Sequence, residues 1–158
     1  MQRLRGHVVI VGAGAVLFAT SFVPLWATYR VPGLGVVAPR TVHQNAWGAY
    51  GRTMELGLVL VLTVTVIAAV FWVRSAIRSP RVAGVLLALC GIVTLLLLWQ
   101  VVTGPLGSSN PNGYGIDRGV LLFTGVALAG AMTYGSYLTR KETAWESPFG
   151  DDVRRARR

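Results

Sequence analysis

Charge is scarce in this chain: Asp, Glu, Lys and Arg make up only 13% of its 158 residues. Soluble globular domains carry about a quarter, so much of the chain is built to avoid water. Acidic residues are scarcer still, 6 against 15 Lys+Arg, which leaves a formal net charge of +9. Fourteen of the basic residues are Arg, a bias expected of a GC-rich genome. Cysteine is nearly absent. The lone Cys90 excludes an intrachain disulfide and any Cys-based metal site. Only two histidines occur, and if the first apolar run crosses a bilayer they lie about 30 Å apart, so His7 and His43 cannot share one haem iron. No GxSxG, HExxH, P-loop or CxxC pattern is present. The 53% hydrophobic content excludes a disordered chain.

What the chain has in abundance is apolar runs. Residues 8–27, 56–73, 82–102 and 119–138 contain no charged residue and are 18 to 21 residues long. At about 1.5 Å rise per residue, each approaches the ~30 Å thickness of a hydrocarbon core. The expectation is an all-α membrane protein with four transmembrane helices, at about 8–27, 55–74, 82–103 and 118–138, in one membrane domain covering 1–158. Its outer loops are 28–54 and 104–117, and 139–158 forms a basic tail. Run 56–73 is rich in Val, Ile and Thr, but it is too long for a typical strand and lacks the alternation of a membrane barrel. The first run ends in Phe22, Pro24, Leu25 and Trp26, a poor cleavage site, so it is read as a retained span and not a signal peptide. The run Val11-Gly12-Ala13-Gly14 looks like the start of a dinucleotide-binding turn. Leu17 stands where that motif needs a small residue, and no acidic residue follows about 20 positions on.

The basic residues sort by side. Arg3, Arg5, Arg74, Arg78, Arg81, Arg140, Lys141, Arg154, Arg155, Arg157 and Arg158 fall on one side of the four runs, and Arg30, Arg40, Arg52 and Arg118 on the other. The positive-inside rule then puts both termini in the cytoplasm, which in a bacterium means the plasma membrane. The Arg154, Arg155, Arg157, Arg158 cluster is a topology determinant or a contact for anionic lipid. Without interleaved aromatics it offers no specific nucleic-acid site.

Pro32, Gly33, Gly35 and Pro39 read as irregular loop, and 41–55 as a helical turn with His43, Trp47, Tyr50 and Met54 on one face. Trp26, Tyr29, Trp47 and Tyr50 fit an interfacial aromatic belt. Gly104-Pro105, Asn110-Pro111 and Asn112-Gly113 predict a compact irregular second loop, and Asp117 a cap for the last span. If the second and fourth spans touch, Arg52, Glu55, Asp117 and Arg118 form an outer polar cluster with His43 nearby. Such a cluster suits a lipid or quinone headgroup or a partner protein; otherwise these are boundary charges. In the last span Gly125 and Ala129, and Ala127, Ala131 and Gly135, are spaced by four. Such small-residue faces suit close helix packing within or between chains.

The run Ser21-Phe22-Val23-Pro24-Leu25-Trp26, the short Arg-rich link and Gly119-Val120-Leu121-Leu122 resemble small four-span membrane proteins common in high-GC Gram-positive bacteria. Some of these resemble accessory subunits of envelope or respiratory complexes. No Asp, Glu, Lys, Arg or His lies within a run, where membrane catalysis usually needs one. The expectation is therefore a non-enzymatic accessory or assembly subunit without cofactor, whose partners are the bilayer and other membrane subunits or itself. A small oligomeric transporter or channel for an apolar or lipidic solute, and a phage-type hole-forming protein, are the alternatives.

Overall fold

Long runs of Leu, Val and Ala without charge leave the backbone no polar partner but itself, and the helix satisfies every amide within one segment. In the computed structural model, which describes residues 5–31, 40–74, 80–105 and 115–145, these runs form α1 (Arg5–Thr20), α3 (Gly51–Arg74), α4 (Pro80–Thr103) and α5 (Val120–Trp145). Between them come β1 (Ala27–Val31), β2 (Arg40–Gln44), the one-turn α2 (Ala46–Ala49) and β3 (Gly115–Arg118). Among the described residues, α3, α4 and α5 are each long and apolar enough to cross a membrane, while α1 is a shorter apolar helix. About a third or less of each long segment is buried against the rest of the protein. Their outward surface carries Leu56, Val59, Val66, Leu95, Val120 and Phe123. Helices apolar on every side belong in lipid, and this is a membrane protein.

The helices share one core, with Ile10 and Leu17 of α1, Leu58, Val61 and Val64 of α3, Leu86, Val93 and Leu97 of α4, and Leu122, Ala129 and Met132 of α5. α1 and α4 each pack against both α3 and α5, so α3 and α5 lie across the diagonal. Glycine sets two of these approaches. A side chain on Gly14 would strike Thr65 of α3, and one on Gly135 would come within 2.9 Å of the Gly6 carbonyl of α1. Across the α4–α5 seam, Ser136 Oγ donates to Cys90 Sγ at 3.0 Å, and the Thr94 and Thr133 hydroxyls share a bond of 2.9 Å. Interhelical bonds of this kind contribute about 0.6 kcal/mol each in a membrane.

Three features differ from the sequence-based expectation. α1 stops at Thr20, short of Ala27. Pro24 disfavours helix at Val23, and the Thr20 and Ser21 hydroxyls turn back onto the Leu17 and Phe18 carbonyls. α5 instead runs past 138 to Trp145, so the first part of the expected tail is helical. Thr139 is buried in its contact with Gly6, and this packing carries the helix onward. The third difference lies in the segments expected as outer loops. Although Pro32, Gly33, Gly35, Pro39 and the 110–113 turn residues lie outside the described residues, their flanks form a three-stranded antiparallel sheet ordered β2-β1-β3. Residues 40–44 are therefore strand, and the expected helical turn is confined to α2 and the start of α3. Asn45 caps α2 by accepting from the Gly48 amide at 3.0 Å. Gly51, with φ 66, then lets the chain break direction before α3. Gly104, with φ 76, closes α4 by donating its amide to the Gln100 carbonyl at 2.9 Å.

Candidate functional site

The sheet and the helix ends beneath it form the most elaborate polar assembly in the described part of the molecule, and alternation along the strands organises it. Thr28 sits opposite His43 of β2 on one side and Asp117 of β3 on the other; Arg30 sits opposite Thr41 and Gly115. Residues two apart on a strand share a face, so Thr28, Arg30, Thr41, His43 and Asp117 form one polar surface. Thr28 Oγ1 and His43 Nδ1 lie 3.3 Å apart. Arg30 Nη2 reaches Asp117 Oδ2 at 3.2 Å, with both side chains mostly exposed. An exposed ion pair of this kind contributes well under 1 kcal/mol, so its value lies in what it presents, not in holding the sheet.

The opposite face of the sheet turns to the helices. Ala27 is buried and Tyr29 half-buried. Arg118 donates from Nη2 to the Val102 carbonyl at 3.1 Å. A cation on a free carbonyl in the last turn of α4 offsets the negative end of that helix. Asp117, expected as a helix cap, is instead a strand residue paired to Arg30, because β1 supplies its backbone partner.

The expected outer cluster thus divides. His43 and Asp117 share the outward face through Thr28, and Arg118 lies on the other face. Arg52 and Glu55 sit exposed on the first turns of α3 with no ion pair among the described residues. α3 and α5 do not pack together as adjacent helices, which is the arrangement the five-residue cluster depended on. The small residues of α5 also separate. Gly125, Ala129 and Gly135 are buried within the chain, whereas Ala131 is half-buried and Ala127 exposed. Arg154, Arg155, Arg157 and Arg158 lie outside the described residues.

Beneath the sheet, one side chain that pattern reading assigned to an interfacial belt is fully enclosed. Among the described residues Trp26 is the largest that is wholly buried. Its indole Nε1 donates to the Thr20 carbonyl at 2.6 Å, capping the end of α1. Its amide donates to the Gln44 carbonyl at 3.1 Å, and its own carbonyl accepts from the Gly119 amide at 2.8 Å. The Tyr50 hydroxyl donates to the same carbonyl, also at 2.8 Å. The ring lies against Gly125, where a side chain would come within 2.7 Å of Cη2. One residue thereby ties the end of α1, the end of β2, the start of α5 and the α2–α3 junction. Beside it, Trp47 Nε1 donates to Ser21 Oγ at 3.0 Å, and Phe18, Phe22 and Trp47 pack edge-to-face or tilted.

Sequence reasoning missed Arg30 and Thr28 as members of the outer face. The signal was the alternation Ala27-Thr28-Tyr29-Arg30, obscured by treating 8–27 as one span.

Tyr50 makes the cap sensitive to alkali. Its hydroxyl is pushed up from 10.0 to about 12, chiefly by burial and secondarily by Tyr29, with the charge of Arg118 opposing. The unfolded phenol loses its proton near pH 10 and the folded one near pH 12, so stability is full below pH 10 and falls between those values. Tyr29 is raised by burial as well and acts in the same direction. Tyr50→Phe is expected to flatten most of this decline. Unfolding curves of the detergent-solubilised protein between pH 8 and 12 measure it, and an unchanged slope would assign the decline elsewhere.

The chain matches no known protein family and no curated protein.

Proposed function

We propose that the protein is a non-enzymatic four-span subunit of a bacterial plasma membrane. It serves a larger envelope or respiratory complex by presenting the outer face of its sheet to a partner subunit. One observation carries this: the polar row Asp117, Thr28 and His43, with Arg30 alongside, is displayed on a sheet anchored from below through Trp26. A pre-ordered polar face costs little to immobilise when a partner binds. The space between the helices is filled by Ile, Leu, Val and Met side chains, which favours a supporting role over a solute path through one copy. Arg30, Arg40, Arg52 and Arg118 all occur at the sheet end, and Arg81, Arg140 and Lys141 on the opposite ends of the helices. By the positive-inside rule this sheet faces away from the cytoplasm and both termini face it.

Purification in mild detergent from the native membrane is expected to recover a stoichiometric membrane partner. The double variant Arg30→Gln, His43→Ala loses that partner with a nearly unchanged melting temperature, because both side chains are exposed and the Arg30 ion pair contributes well under 1 kcal/mol. A homogeneous monomer or homo-oligomer from the wild type, or full retention by the variant, refutes the proposal. Labelling of intact cells with an impermeant maleimide reports the orientation. Ser109→Cys is expected to react and Ser79→Cys to be protected; the reverse pattern inverts the assignment.

A further inference from the structure

Along their length α3 and α4 pack over a smaller contact than α4 does with α5. A groove of about 460 Å³ opens between them, lined by Val66, Val70, Phe71, Val82, Val85 and Arg81 among others. This volume falls within the roughly 300–1,000 Å³ of ligand sites. Every lining side chain but one is apolar, and the exception stands near the start of α4. Arg81 is exposed and has no ion pair among the described residues. No acidic residue occurs anywhere from 56 to 116, whereas Arg74 at the end of α3 and Arg78 shortly before α4 precede Arg81 in the sequence. The groove thus joins an apolar trough to a cation, at its edge, that has no ion pair among the described residues.

We propose that this groove holds one acyl chain of an anionic phospholipid, with the lipid phosphate paired to the Arg81 guanidinium. A guanidinium fork matches phosphate oxygens two at a time. The apolar walls select a hydrocarbon chain over a soluble phosphate, and a guanidinium with no ion pair among the described residues selects an anionic headgroup over a zwitterionic one. The site is independent of the sheet face, and neither proposal depends on the other.

Native mass spectrometry of the purified full-length protein, given equimolar phosphatidylglycerol and phosphatidylcholine of the same acyl chains, tests it. The wild type is expected to retain phosphatidylglycerol about five-fold over phosphatidylcholine, the effect of one basic residue at a membrane surface. Arg81→Gln abolishes that preference. Val85→Trp, which fills the groove from an exposed position on α4, removes retention of both lipids. Equal retention of the two lipids by the wild type, or unchanged preference in Arg81→Gln, overturns the proposal. So does a dimer that Val85→Trp dissociates, since a second copy then occupies the groove. If Val85→Trp does not fold, the Arg81→Gln comparison decides.

Discussion

Trp26→Ala is expected to destabilise the fold by about 3–5 kcal/mol, the range for emptying a buried large aromatic site. Two losses add in this variant. The ring leaves a void between α1 and α5 against Gly125, and the Thr20 carbonyl loses the indole donor that caps α1. Trp26→Phe separates them, because it keeps most of the ring but not the N–H, and should cost only about 1–3 kcal/mol for the unpaired carbonyl. The converse substitution, Gly125→Ala, pushes a methyl to 2.7 Å from Cη2 and 3.1 Å from Cζ3 of the ring. Overpacking of this kind costs about 1–3 kcal/mol. In a Trp26→Ala background the same methyl enters empty space and its cost disappears, giving a coupling energy of about 0.5–3 kcal/mol. Equilibrium unfolding in mild detergent measures all four proteins. Strict additivity would mean that ring and glycine do not meet.

Gly119→Ala should be comparably damaging although it adds a single methyl. A Cβ there would lie 2.5 Å from the Trp26 carbonyl carbon and 2.6 Å from that of Leu25. These are main-chain atoms, which cannot rotate aside. The Gly119 amide also donates to the Trp26 carbonyl, a bond the displaced backbone gives up. Strain at the upper end of the ~1–3 kcal/mol overpacking range, with about 1 kcal/mol for the bond, makes a loss of about 3 kcal/mol or more. Gly12→Ala and Gly91→Ala provide the contrast, since a side chain at either site meets nothing within 4 Å. In a helix interior they should be neutral or stabilising by up to about 1 kcal/mol. Equal melting temperatures for Gly119→Ala and Gly91→Ala would disprove the contact at Gly119.

The positions of the long helices were legible because their signal is local. Runs such as 82–102 bury their own backbone polarity, and length alone distinguishes them from a strand. The sheet was not legible, because its cause is remote. Nothing within Arg40-Thr41-Val42-His43-Gln44 announces that Thr28 waits opposite His43, and Asp117 reads equally well as a helix cap until β1 is beside it. Trp26 fits an interfacial belt by position, and only the neighbours brought by α5 and β2 turn it into a buried hub. The outer cluster was partly visible for a similar reason. The charged residues can be found in sequence, but which face each occupies depends on a register that spans some 90 residues.

The Gly6 and Gly135 contact makes the first helix of the chain a neighbour of the last. Partners that far apart in sequence cannot meet until α5 has been synthesised, and closing such a loop is entropically slow. The groove for the Trp26 ring is likewise cut into α5. During biosynthesis α1 must therefore wait without its α5 neighbour while α3 and α4 are made, although the Trp26 cap on Thr20, only six residues away, needs no later segment. Completion of the three-stranded sheet, whose β3 immediately precedes α5, is timed with the arrival of that helix.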